Sequence, residues 1–232
     1  MRTHWNIQTP VGEFVKENTL CAETFENLSI DFCCGGEKTL ENACLEQGLK
    51  PLEVLEQLNL LENSVQNQDV DLDGLTPGQL TLHIESKHHA YLKKALPRLV
   101  DLLEKVLSAH GKMHSELKGL KTTFACLRED LEPHLLKEES VLFPLIRKLE
   151  SQNLGNGMKG IAGPIQVMLK EHDHVGDLLK KIRELTRGFE VPEDGCQSFH
   201  LLYEELNMLE RDTHLHIHKE NNVLFPRIQP TP

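Results

Sequence analysis

HLLKEESVLFP (residues 134–144) and HIHKENNVLFP (residues 216–226) are one stretch of sequence written twice, 82 residues apart and identical at seven of eleven positions. Each copy places a glutamate four residues after a histidine. On a helix those two positions share a face, ~6 Å apart along the axis. An imidazole and a carboxylate so placed can reach one metal, or two metals sharing the carboxylate. The flanks supply the helices. Leu120, Phe124, Leu127, Leu131, His134, Glu138, Val141 and Leu145 recur at three–four spacing, as do Leu206, Leu209, Thr213, His216, Glu220 and Val223. His and Glu therefore stand at core positions of two apolar stripes. A buried carboxylate needs a partner. A self-satisfied His–Glu pair accounts for one copy; two copies in one bundle favour a metal.

Outward from the repeat the same periodicity continues, and alternation of the strand type is nearly absent. Four long amphipathic runs are expected at about 79–109, 115–149, 164–187 and 196–225, the pattern of an antiparallel four-helix bundle. A Gly-rich loop (153–163) precedes the third run and GFEVPEDG (188–195) the fourth. Pro133, inside the second run, is expected to kink it. In the first run His89 falls on the seam of Leu82, Leu92, Leu96, Leu99 and Leu103, with His88 turned away beside Tyr91. In the third, Ile165, Met168, His172, Val175, Leu179 and Ile182 place His172 inward and His174 outward. His89 and His134 lie equally far from the turn near Gly111, hence at one height. His110 and His114 sit at that turn, ~30 Å away, and read as capping or surface residues. Glu85 stands one turn before His89, either as its partner or facing solvent.

The collected set, His89, His134, Glu138, His172, His216 and Glu220, is too large for tetrahedral zinc and lacks thiolates. Imidazole and carboxylate on facing helices is the donor set of a carboxylate-bridged pair of non-haem irons. With both glutamates and an oxo or hydroxo group bridging, about ten of twelve octahedral positions are filled. The remainder is open to water, O2, NO or exchange.

The chain opens differently. Short helices are expected at 11–18, 22–28, 40–47 and 51–60, with Gly35, Gly36 and Gly48 as breaks. A polar, acidic stretch, NSVQNQDVDLDGLTPG (63–78), reads as a linker. The expected organisation is a small helical domain at 1–62, the linker at 63–78 and the bundle at 79–228, all-α throughout. A net charge of −11 over 232 residues argues against nucleic acid and anionic membrane as partners, and no apolar stretch has the ~20 residues of a spanning helix. MRTHWNIQTPVGEF lacks the regions of a secretory signal, and six cysteines without one suit a reducing, cytoplasmic setting. Cys33 and Cys34 are adjacent, before Gly35-Gly36. Either they are small buried hydrophobes at a tight turn, or their thiols pass electrons, bind iron transiently or cross-link two chains into a homodimer. Cys21, Cys44, Cys126 and Cys196 read as packing.

With these motifs in place, the region from residue 79 onward resembles the hemerythrin-like di-iron bundles, and one branch of them closely: the iron–sulfur cluster repair family. HIHKENNVLFP keeps HxxxE where the oxygen-carrying hemerythrins space the last His and carboxylate differently. KEHDHVG (170–176) has Gly176 where an oxygen carrier would place a second His. IDFCCGGEKTLENAC (30–44) looks like the small N-terminal domain of the same family. The resemblance implies that the six residues named above are di-iron ligands, with Glu171 in their outer shell. It implies a stress-response protein that supplies iron to clusters damaged by oxidation or nitric oxide, its partners being the damaged proteins. An NO or O2 reductase and a reversible NO/O2 sensor are the alternatives.

Overall fold

The computed structural model describes residues 5–62, 72–152 and 160–228. The regular elements among them are helices: α1 (Val11–Glu17), α2 (Cys21–Asn27), α3 (Leu40–Glu46), α4 (Pro51–Glu62), α5 (Pro77–Ile84), α6 (Ala90–His110), α7 (Glu116–Lys137), α8 (Phe143–Ser151), α9 (Ala162–Leu185), α10 (Gln197–His218) and α11 (Phe225–Ile228). Three π-helical segments interrupt the long runs: π1 (Glu85–His89), π2 (Glu138–Leu142) and π3 (Lys219–Leu224). The expected linker lies largely outside the described residues, as does most of the Gly-rich loop at 153–163.

The chain divides into two compact units, Met1–Leu80 with His214–Pro232, and Thr81–Thr213, the second boundary falling inside α10. The unit of residues 81–213 carries nearly all of the first run, the whole of the second and third, and the fourth as far as Thr213, packed as an antiparallel bundle. In it α7 packs along α9 and against α6. Arg183 of α9 grips the buried Glu210 of α10 with Nε at 3.0 Å from both carboxylate oxygens. Ile165, Met168, His172, Val175, Leu179 and Ile182 of α9 are all buried, as their spacing requires. α7 continues as α-helix through Pro133.

The π segments displace the stripe elsewhere. Val141, expected inside, is 58% exposed; Leu142, Phe143 and Ile146 are buried instead. A π turn holds one more residue than an α turn, so the face downstream of π2 advances by one. Upstream of π1 the same shift exposes Leu82 and buries Leu80, Thr81 and Ile84. The cause of π2 and π3 lies in the repeat. In each copy the N–H of the Phe before proline bonds to the carbonyl of the Glu five residues back, Phe143 to Glu138 and Phe225 to Glu220. Pro144 and Pro226 cannot donate, and their rings crowd the carbonyl four residues back. A wider turn relieves that crowding.

The other unit joins α1–α4 to the chain's end. Its core is a file of rings: Trp5 on Phe14 (4.8 Å between centroids), Phe14 on Phe25 (5.9 Å), Phe25 on Phe32 (6.1 Å), then Phe32 against His214 and His218 (6.0 and 5.9 Å). Burying each phenyl ring contributes about 1.5–3 kcal/mol. Thr39 caps α3 by accepting the Asn42 N–H, and an isolated antiparallel bridge pairs Pro10 with Thr39. Arg227 donates to the carbonyls of Leu72 and Leu75 and to Asp73, tying down the chain just before α5.

Candidate metal centre

Within the bundle unit four ligand-type side chains converge. His89 closes π1, His134 lies in the last turn of α7, Glu138 opens π2, and His172 sits in the middle of α9; all are buried. Glu138 points one oxygen at each of two imidazoles, Oε2 3.3 Å from His89 Nε2 and Oε1 3.4 Å from His134 Nε2. His172 Nε2 is 3.2 Å from His134 Nε2. Donor atoms of His134, Glu138 and His172 lie within 4.8 Å of one another. Phe143, from the repeat, stacks on the His89 ring at 5.5 Å.

The far sides of two rings are also held. His89 Nδ1 is 2.9 Å from Glu139 Oε1, and His134 Nδ1 is 2.9 Å from Glu171 Oε2. Lys93 bonds Glu139 and Lys137 bonds Glu171. Burial works to raise both carboxyls, but the lysine and histidine beside each hold them below the usual range. Each ionised carboxylate accepts Nδ1–H and turns Nε2 toward Glu138. Nε2 of both rings then faces the oxygens of the buried Glu138, and His172 Nε2 shares a hydrogen bond with His134 Nε2. A cation among these donors would neutralise the buried Glu138 carboxylate, and a carboxylate behind an imidazole is the usual support of a metal ligand. The donors are nitrogen and oxygen only, which suits iron.

In the other unit His216 Nε2 is 3.1 Å from Glu220 Oε1, both buried, in the second copy of the repeat. The opposite side of that helix meets the cysteine turn. Asn221 and Asn222 donate to the Cys33 carbonyl at 3.2 and 3.0 Å, and His218 Nδ1 lies 3.4 Å from the Phe32 carbonyl. Burial pushes the His218 imidazole down to about 4, so it is neutral. Asp31 organises the turn by accepting the N–H groups of Cys33, Cys34 and Gly35. The Cys33 thiol, 3.9 Å from Cys34 Sγ, is pushed well above the usual range by that neighbour and by burial. Cys34 is partly exposed, and the two are not bonded.

Glu85 pairs with Arg147 at 3.0 Å. His88 is buried against Asp212 (2.9 Å), and the exposed His174 meets Asp130. Cys21 and Cys44 are packing residues, but Cys126 and Cys196 are exposed. Cys196 also has the basic neighbour its sequence context did not reveal: His110 Nε2, at 3.1 Å, lowers the thiol to about 7. Glu139 escaped the sequence reading altogether. Its signal was its position, directly after Glu138 and replaced by Asn221 in the second copy.

A buried cluster of imidazoles and a carboxylate inside an antiparallel helical bundle defines a metal-binding bundle of the hemerythrin class. Residues 80–228 match the family described as hemerythrin HHE cation binding domain, and residues 7–62 match a domain of unknown function, DUF542. The iron-sulfur cluster repair protein YtfE of Enterobacter sp. (strain 638) is 35% identical over 94% of this chain and 95% of its own length. ScdA of Staphylococcus epidermidis (strain RP62A), an iron-sulfur cluster repair protein, is 30% identical over 94% of this chain and 96% of its own. A probable iron-sulfur cluster repair protein of Haemophilus influenzae is 35% identical over 88% and 89%. The chain belongs to this iron–sulfur cluster repair family, with a hemerythrin-like C-terminal domain.

Proposed function

We propose that the chain repairs iron–sulfur clusters damaged by oxidants or nitric oxide, in the cytoplasm, by donating iron from a pair of non-haem ions. His89, His134, His172 and His216 would hold the pair, with Glu138 and Glu220 as bridges and Glu139 and Glu171 orienting two of the imidazoles. When bound, the pair supplies exchangeable iron and open coordination positions. The observation that carries the reading is Glu138, buried between two Nε2 atoms whose opposite nitrogens are tied to carboxylates. The repeated HxxxE and the names of the relatives support it further. Free rather than disulfide-bonded cysteines accord with a reducing compartment. Among the described residues no helix is long and apolar enough to cross a membrane.

The test is transfer. Iron-loaded protein incubated with an apo iron–sulfur protein and a sulfide source should lose iron as the acceptor's cluster absorption appears. Retention of the iron beside an acceptor that free ferrous iron can reconstitute would overturn the donor role. Catalytic consumption of NO without iron loss would establish the reductase instead.

A further inference from the structure

Far along the bundle from His89, the turn after α6 and the loop before α10 bring together side chains that the proposed iron centre does not use. Donor atoms of His110, His114 and Asp194 lie within 4.8 Å of one another. His114 Nε2 is 3.0 Å from Asp194 Oδ1, and its Nδ1 is 2.9 Å from Glu116. Cys196 Sγ is 3.1 Å from His110 Nε2. Phe199, fully buried, supports both imidazoles, its ring centroid 5.3 Å from each. Gly195 lets Asp194 and Cys196 share one tight turn. Its N–H bonds the Pro192 carbonyl at 2.8 Å, and a Cβ there would stand 2.6 Å from Val191 Cγ1 and 2.9 Å from that same carbonyl oxygen.

We propose that His110, His114, Asp194 and Cys196 form a second metal site, which takes one divalent cation of the zinc class and clips the two loops together. Two nitrogens, one oxygen and one sulfur make the four-donor set such a borderline cation prefers. Cys196, whose Sγ already lies 3.1 Å from His110 Nε2, supplies the fourth donor. Glu116 plays for His114 the part that Glu139 plays for His89: it takes Nδ1–H and aims the Nε2 lone pair at the metal. The thiolate separates this site from the iron centre, whose donors are nitrogen and oxygen.

The experiment uses the full-length, untagged, iron-loaded chain. One equivalent of zinc is added, unbound metal is removed, and zinc and iron are both counted. Zinc-edge X-ray absorption then reads the ligands. The expected result is retained zinc, undiminished iron and a sulfur neighbour at ~2.3 Å. That sulfur should vanish in Cys196→Ser and persist in Cys33→Ser/Cys34→Ser. Glu116→Gln, which leaves all four donors in place, should weaken zinc binding about 10–100-fold. Failure to retain zinc would overturn the site and leave His114 in its pairs with Glu116 and Asp194 alone. Zinc bound without sulfur, zinc that displaces iron, or sulfur that survives Cys196→Ser would overturn it equally.

Discussion

The two copies of the repeat are alike where they face inward and different where they face outward. His134 and His216, Glu138 and Glu220, Phe143 and Phe225 are buried in both, and both widen into a π turn before the proline. In the first copy Leu136, Ser140 and Val141 are exposed, and Lys137 is half exposed in its pair with Glu171. In the second, the matching His218, Lys219 and Val223 are buried, and Asn222 is half-buried. The covering is the cysteine turn of the same unit, which hangs from Asn221, Asn222 and the His218 ring. The seven shared letters thus record a common buried His–Glu turn, and most of the four that differ record what lies on the other side of the helix.

The largest expected effect tests whether the inward halves are equivalent. Glu138→Ala should reduce bound iron by at least about half, since a bridging carboxylate contributes to both ions. Glu220→Ala should do the same. Metal analysis after gel filtration reads both. Equal losses make the two copies one centre; full iron in either variant would remove that glutamate from the ligand set and end the symmetry.

Next come the outward halves. Asn222→Ala removes donors from the carbonyls of Phe32 and Cys33 and should cost about 1–3 kcal/mol in urea denaturation. Gly36→Ala should cost a similar amount, because its Cβ would stand 2.2 Å from Asn222 Oδ1. At the matching place in the first copy, Ser140 bonds to the Leu136 carbonyl of its own helix. Ser140→Ala should therefore change stability by less than ~0.5 kcal/mol. Equal costs at 140 and 222 would mean that the cysteine turn contributes nothing to the second copy.

A smaller effect concerns the proline. Pro144→Ala and Pro226→Ala restore an N–H and remove the crowding that widens the turn. The metal-free chain should gain about 1 kcal/mol while holding iron less well against a competing chelator, since the glutamate that opens the π turn loses its setting. Thermal melts of chelated protein and iron retention read the two halves of this trade. Unchanged values would assign the wide turn to the packing of Phe143 and Ile146 rather than to proline.

These π turns also decide what was legible in the sequence. α9 contains none, and the six residues read as its inner face are the six buried ones. The runs holding π1 and π2 were read correctly on one side of the turn and one residue out on the other, where Leu82 and Val141 proved exposed. A fixed period of 3.6 carries no allowance for an inserted residue. The VLFP of the repeat was a readable sign of π2 and π3; π1 has no proline behind it and gave none. The inward histidines and Glu138 were legible because a polar residue on an apolar stripe stands out. Glu139 and the His110–Cys196 contact were not, because each depends on a partner far away in sequence, 50 and 86 residues respectively.

The smallest expected effect on the metal falls on the cysteines that cover the second copy. Cys33 is buried, its thiol is held protonated by Cys34 and by burial, and its carbonyl rather than its sulfur meets the helix bearing Glu220. Cys33→Ala/Cys34→Ala should therefore leave iron content and the visible spectrum of the loaded protein unchanged. Repair of a damaged cluster should nevertheless be lost, because Cys34 is the partly exposed thiol of the turn and can meet iron as it leaves. Alkylation separates the two thiols beforehand. At neutral pH Cys34 should label ahead of Cys33, and Asn222→Ala, by loosening the turn, should speed Cys33 alone. If the double variant repairs clusters at the full rate, the vicinal pair is a packing device and the covered copy owes its distinct sequence to stability; if repair falls while iron stays, the cover acts in transfer and the two copies divide holding from release.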